Sequence, residues 1–202
     1  MGRQSDGGWE VCNDKEFKPR TPCLVYSFGI LHEYSFDDDV AATYNCEVHS
    51  FDPSDGREDY RHAPMVWFHN TGISDFNGYL KVNNKQWKMR RLETIRNELG
   101  HENRNIDILK IDVEKSEWKA LPDIISSGIL HNVTQLLFEC HIGKIQDEDE
   151  SYKDFLTVLR IIYEHGFRIF WNRKGTCLYH SKISGKLRTA CQEIFTVKVH
   201  QT

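Results

Sequence analysis

The sequence predicts an α/β domain, a three-layer sandwich around a mostly parallel sheet, and three observations carry that prediction. Apolar strand-like runs alternate with segments of helical period along most of the chain, as in consecutive βα units. Two runs, Ile106–Ile111 and Val133–Ile142, are rich in Ile, Leu, Val and Phe, the composition of strands covered on both faces. The last two strand-like runs, Phe167–Trp171 and Ile194–Val199, have no clear helix between them, which predicts an antiparallel strand at one edge.

Taken in order, residues 1–22 are polar, with Trp9, Val11 and Phe17 as their large apolar anchors, and read as an arm lying across a domain of residues 23–202. Cys23–Phe28 is the first strand, Gly29 its turn, and a helix follows through Ala41 and Ala42. Cys46–Phe51 alternates as a strand does and stops at Asp52-Pro53, since proline has no N–H for a ladder. A third strand runs from Met65 to His69. Asn77–Met89, with Asn83-Asn84 at its middle, predicts an inserted hairpin. Leu92, Ile95 and Leu99 mark a helical face that ends at Gly100. After Ile106–Ile111, the residues Trp118, Leu121, Ile124 and Ile125 supply a helix interrupted at Pro122 and closed at Gly128. The acidic stretch 146–150 precedes a helix with Phe155, Leu156, Leu159 and Ile162 on one side. Trp67, Trp87, Trp118 and Trp171 read as core.

Composition narrows the function. A chain of 202 residues with 39% hydrophobic content can fill one core, burying roughly 70% of its unfolded surface. A net charge of -4 gives no basic surface, which argues against a nucleic-acid partner; Lys88, Arg90 and Arg91 form only a local cluster. No apolar run reaches the roughly 18 residues of a membrane span, and the first eight residues lack the apolar core of a signal peptide. The expectation is a soluble chain, cytoplasmic unless it is a piece of a longer secretory-pathway or Golgi-lumen protein. Six cysteines without a CxxC pair exclude a zinc knuckle. Cys46 and Cys140 lie in apolar runs and read as buried free thiols, while Cys12 with Cys23, and Cys177 with Cys191, could form bridges. Connectivity stays open, because six cysteines allow fifteen complete pairings. The Asn132-Val133-Thr134 triplet fits a luminal protein.

The chemistry gathers at strand ends. Successive strand side chains alternate faces, so Lys110, Asp112 and Glu114 project the same way, opposite Leu109, Ile111 and Val113. Carboxylates at the carboxyl end of a buried strand mark the mouth where open α/β sheets bind ligands; the ordinary alternative is a helix cap. Glu139 and His141 share a face of the next strand. Gly29 and Asp52 stand where a nucleoside needs a close-approach turn and an acceptor for its ribose hydroxyls, and their separation of 23 residues (52 minus 29) fits the roughly 20 of that geometry. One glycine in place of a GxGxxG run disfavours a pyrophosphate, so a cofactor without phosphates fits better than NAD.

Phe28-Gly29-Ile30, Phe51-Asp52-Pro53, Leu109-Lys110-Ile111-Asp112-Val113-Glu114 with Glu117, and Phe138-Glu139-Cys140-His141 together resemble the FkbM-type, methyltransferase-like branch of the class I S-adenosylmethionine-dependent methyltransferases. The resemblance implies a Rossmann-like, seven-stranded sheet whose last strand is antiparallel. It implies Ser27, Phe28, Gly29 and Ile30 around the methionine part of S-adenosylmethionine, Asp52 with Pro53 at the ribose, Gly72 and Ile73 near adenine, and Asp112 bordering the cofactor. Two positions depart from the pattern. Tyr26-Ser27 replaces the acid that many class I enzymes carry at the end of the first strand, and Lys115 stands where FkbM-type sequences commonly have glycine.

Methyl transfer needs an in-line nucleophile, and a base where that nucleophile must lose a proton. Asp112, Glu114, Glu139 and His141 are expected to converge on an acceptor hydroxyl. Either His141 or a carboxylate deprotonates it, or Asp112, Glu139 and His141 hold Mg²⁺ or Mn²⁺ to lower its pKa. The expected activity is O-methylation of a saccharide or other polyhydroxylated small molecule. The rivals are an NAD-dependent oxidoreductase or epimerase on the same sheet, and a noncatalytic domain that keeps the fold to bind a partner.

Overall fold

Ile106–Ile111 and Val133–His141 pair in parallel at the middle of one eight-stranded sheet. The structure is a computed structural model that describes residues 1–3, 7–114, 116–142 and 148–199, with the backbone alone for 148–151. Along the chain run β1 (Leu24–Phe28), α1 (Ser35–Tyr44), β2 (Glu47–Phe51), β3 (Tyr60–Ala63), β4 (Val66–His69), β5 (Gly72–Ile73), β6 (Gly78–Val82), β7 (Lys85–Arg90), α2 (Leu92–Glu98) and β8 (Ile106–Ile111). Then come α3 (Glu117–Ser126), a 3-10 turn (Ile129–Asn132), β9 (Val133–His141), α4 (Glu148–Glu164), β10 (Phe167–Lys174), β11 (Leu178–His180), β12 (Leu187–Thr189) and β13 (Cys191–Lys198).

The sheet order is β10-β13-β9-β8-β1-β2-β4-β3. The strands β4, β2, β1, β8 and β9 are mutually parallel, and β13 is antiparallel to both β9 and β10. The expected three-layer α/β sandwich with an antiparallel last strand is therefore present, with two corrections. Short β3 adds an eighth strand beyond β4, and β13 lies inside the sheet, leaving β10 at the edge. The residues explain the second point. Ile194-Phe195-Thr196-Val197 is buried on both faces, whereas β10 leaves Ile169, Trp171, Asn172 and Lys174 exposed and tolerates an edge.

Each face of the sheet carries its own core. Tyr26, Phe28, Phe51, Leu109, Ile111, Leu136 and Phe138 pack beneath Leu92, Ile95, Leu121, Ile124, Val158 and Ile162 of α2, α3 and α4. On the opposite face, Val25, Val48, Phe68, Ile108, Leu137 and Phe195 pack beneath Phe36 and Val40 of α1 and beneath Trp9 of the N-terminal arm. Trp9 is the deeply buried tryptophan, edge-on to Phe195, while Trp171, expected in the core, is exposed on the edge strand.

Local details correct the sequence reading in places. The Asn83-Asn84 turn has φ of 46° and 65°, as a two-residue hairpin turn requires. Helix α3 continues through Pro122, which sits on its exposed side and removes one ladder N–H without breaking it. The buried stripe of α4 is Phe155, Val158, Leu159 and Ile162; Leu156 points to solvent. Residues 146 and 147 of the acidic stretch lie outside the described residues.

The disulfides are Cys23–Cys46 and Cys177–Cys191, with Cys12 and Cys140 free and buried. Cys46 is thus not a free thiol, and Cys12 is not the partner of Cys23. Register gives the reason: Leu24 pairs with Glu47, so the residues preceding each strand face one another. Among the described residues no helix is long and apolar enough to cross a membrane.

Candidate functional site

The carboxyl ends of β2, β1, β8 and β9 lie side by side, and the candidate site is built on them. Gly29 leaves β1 at φ 77°, its N–H donating to the Phe51 carbonyl at 2.8 Å, while the Asp112 N–H donates to the Phe28 carbonyl at 3.0 Å. A Cβ on Gly29 would collide with the Asp112 carbonyl oxygen, so glycine is required by the neighbouring strand itself. Beyond it, Leu31 and His32 are also left-handed, and the Leu31 N–H donates to Asp52 Oδ2 at 2.8 Å. Asp52 Oδ1 accepts the N–H and hydroxyl of Ser54 at 2.8 and 2.5 Å. This carboxylate ties the loop after β1 to the loop after β2, and Oδ2 keeps a lone pair for a further hydroxyl.

The other positions assigned to cofactor binding divide. Pro53 packs toward Gly72, where a Cβ would lie 2.8 Å from Pro53 Cγ and from Met89 Sδ, so Gly72 is a close-packing glycine beside Asp52. The side chains of Ser27, Phe28, Ile30 and Ile73 are buried in the interior, Phe28 stacked on Phe51 at 4.5 Å. With their side chains packed inward, these four positions offer a ligand their backbone. The acid absent from the end of β1 has a counterpart beneath it. Asp37 of α1 is buried beside Ser27 and Ser50, and burial, opposed by the charge of Lys110 and by the two hydroxyls, raises its pKa to about 6. Lys110 is itself buried, 4.8 Å over the Trp9 ring and 3.4 Å from the carbonyls of Phe28 and Gly29.

The acidic end of β8 does not continue the alternation expected of it. The strand stops at Ile111, and Glu114, at φ 47°, turns its side chain to solvent with 83% exposure. Asp112 nonetheless reaches Glu139 of β9, and the two carboxyl groups share a hydrogen bond. Burial, then the charge and hydrogen bond of Asp112, raise the Glu139 pKa to about 8, against the opposing charge of His141.

His141 ends β9 with its Nε2 3.6 Å from Glu139 and 3.5 Å from Glu114. Its Nδ1 lies 2.9 Å from Glu117 Oε1, which also accepts the His141 N–H at 2.8 Å. Burial alone would lower the imidazole pKa, but the hydrogen bond to Glu117 and the charges of Glu117, Glu139 and Glu114 raise it to about 9. Glu117 is the functional residue to which sequence reasoning assigned no role. It sits in the first turn of α3, where a carboxylate is ordinarily a helix-end charge, yet it is fully buried and clamps the ring. Trp118 Nε1 adds a hydrogen bond to the His141 carbonyl at 2.9 Å.

The expected Mg²⁺ or Mn²⁺ set of Asp112, Glu139 and His141 fits poorly. Both His141 nitrogens face carboxylates, and an imidazolium has no lone pair for a metal. At this site, among the described residues, the donor atoms that lie within 4.8 Å of one another are those of Glu139, His141 and Cys191, and Cys191 is committed to its disulfide. Lys115 lies outside the described residues.

Comparison with known proteins gives the family. Residues 1–181 match the family described as "Methyltransferase domain". The chain is 30% identical over 178 residues to a human protein named probable methyltransferase-like protein 24, and 31% identical over 178 residues to its Rattus norvegicus counterpart. Each match covers 82% of this chain and 48% of the relative, so the chain spans about half the length of the curated relatives it matches. A solved S-adenosylmethionine-dependent O-methyltransferase from Thermotoga maritima aligns over 91% of this chain and 62% of its own, at 11% identity and a TM-score of 0.46. With its parallel sheet, its inserted antiparallel last strand and a match over most of its length, the chain belongs to the methyltransferase-domain family, in the methyltransferase-like group that its motifs resemble.

Proposed function

We propose that this domain transfers a methyl group from S-adenosylmethionine to a hydroxyl oxygen of a polyhydroxylated small molecule, with a saccharide or glycan as the first acceptor class. The observation that carries the reading is the Asp112–Glu139 carboxyl pair beside a clamped His141, next to the Gly29 and Asp52 loops. Bound there, S-adenosylmethionine supplies an electrophilic methyl group. The chain's own residues supply the rest. Gly29 and the Asp52 carboxylate shape the nucleoside side, Oδ2 accepting from a ribose hydroxyl. The Asp112–Glu139 pair, once it has lost its shared proton, removes the proton of the acceptor hydroxyl. His141, held as a cation by Glu117, donates from Nε2 to the oxygen as its negative charge develops. His141 is thereby a charge stabiliser, and the carboxyl pair takes the role of base.

Two disulfides fit an oxidising compartment, which favours a luminal glycan over a cytosolic metabolite. Calorimetry with S-adenosylmethionine and with NAD tests the cofactor: binding of NAD alone would point to an oxidoreductase, and no binding of S-adenosylmethionine at millimolar concentration to a noncatalytic domain. With labelled S-adenosylmethionine and a panel of sugars, Glu139→Gln and His141→Ala should each lose turnover while keeping cofactor affinity. Unchanged activity in both would remove the assignment.

A further inference from the structure

At the opposite end of the sheet, a second polar cluster is buried where the methyl-transfer reading makes no use of it. Glu47 opens β2, His49 follows on the same face, and His101 comes from the turn after α2. His49 and His101 are 5% and 7% exposed, positions that a core would ordinarily fill with apolar side chains. His49 Nε2 lies 3.0 Å from Glu47 Oε1, and His101 Nε2 lies 3.4 Å from the same oxygen. One ligand atom from each of the three residues lies within 4.8 Å of those of the other two. Along β2 this cluster starts five residues before Asp52, about 16 Å away at strand rise.

We propose that Glu47, His49 and His101 form a zinc site, with Glu47 Oε1 and the two Nε2 atoms as ligands and a fourth position open on the half-exposed Glu47 side. Two imidazoles and one carboxylate are a donor set that suits zinc. Tetrahedral bonds of about 2.0–2.1 Å set ligand atoms roughly 3.3 Å apart, between the two separations observed.

The surroundings are those of ligands fixed from behind. His101 Nδ1 meets the Tyr26 hydroxyl at 2.8 Å, and His49 Nδ1 meets His69 Nε2 at 2.8 Å. His69 in turn places Nδ1 2.9 Å from Asp59. Both outer nitrogens therefore face groups able to donate or accept. With an ion bound, each ring carries its proton on Nδ1: His49 donates to His69, His69 to Asp59, and His101 to the Tyr26 oxygen. This differs from His141, whose two nitrogens face only carboxylates. Arg104 holds Glu47 Oε2 at 2.6 Å, which leaves Oε1 as a single-atom ligand. The nearby charges of Arg104 and Arg96 oppose a dication, so the expected affinity is moderate. An ion here would fasten β2 to the turn between α2 and β8, remote from the methyl-transfer site.

The test is cobalt titration of the chelator-treated, dialysed protein, read by visible absorption. One equivalent of Co²⁺ should give the intense bands of a tetrahedral site, displaced by Zn²⁺. The bands should be lost in Glu47→Gln and His101→Gln, with near-ultraviolet circular dichroism reporting that each variant is folded, and kept in Glu139→Gln and His141→Ala. Absence of the bands in the unaltered protein overturns the proposal whatever the variants do. So does their persistence in both Gln variants, or their loss in Glu139→Gln and His141→Ala.

Discussion

Glu117 Oε1 accepts two hydrogen bonds from His141, one from the backbone N–H at 2.8 Å and one from ring Nδ1 at 2.9 Å, and its side chain has 0% exposure. One buried carboxylate therefore fixes the end of β9, the tautomer of the ring and its charge. Its second oxygen lacks a protein partner, which adds to the cost of any loss of the imidazolium.

Glu117→Gln should release the His141 proton into the neutral range while leaving the ring in place. A proton NMR titration of His141 reads this directly, as a fall from its raised pKa. Turnover should drop by about 100-fold with cofactor affinity unchanged, the size expected when a positioned acid–base group is mis-protonated. An unmoved His141 titration would show that Glu117 is not the source of its charge.

Methyl transfer should have a bell-shaped pH profile. Its rising limb follows loss of the shared proton near the raised pKa of Glu139, about 8, and its falling limb follows loss of the imidazolium near about 9. Steady-state rates at saturating cofactor measure both limbs. A profile flat across that range would deny the carboxyl pair and His141 these roles.

Stability should fall as pH rises from about 4.5 to 9. His141 has a folded pKa above the ordinary 6.5 of an imidazole, so its contribution is full below that value and is lost as pH rises through about 9. Glu139 is also raised, from 4.5 to about 8, so the folded state holds a proton that the unfolded state has released, and stability again falls with pH. Thermal melts should show the decline, with each kcal/mol lost lowering Tm by about 2–4 °C. Glu139→Gln should make the slope shallower; an unchanged slope would assign it to other groups.

Opening Cys23–Cys46 by Cys46→Ser should cost about 3 kcal/mol, from a loop whose ends are 23 residues apart. Urea unfolding measures it. No change in midpoint would mean that the parallel pairing of β1 and β2 already confines the unfolded chain.

The sheet was legible because its central strands are apolar on both faces, and Ile106–Ile111, Val133–His141 and Leu24–Phe28 stand out from everything around them. Two hairpins were not. β3 and the β11–β12 pair have partly or fully exposed residues and no apolar period to report them. The Gly29 turn was legible as a close approach, but its partner, the Asp112 carbonyl, depends on which strands are neighbours. Glu117 was hidden because an acid in a first helical turn has an ordinary explanation. The Cys23–Cys46 bridge left a readable trace: its 23-residue spacing equals that of Gly29 and Asp52, so one register between the first two strands aligns both pairs.

The place of β13 between β9 and β10 has a consequence for the growing chain on the ribosome. Until residues 191–198 emerge, β9 presents an unpaired edge and β10 has no strand beside it, so the nascent sheet is open at a hydrophobic seam. Closure of this sheet thus waits for β13, the last of its strands along the described chain. A ribosome stalled before Cys191 would hold a chaperone substrate, and one stalled well past Lys198 a protease-resistant domain.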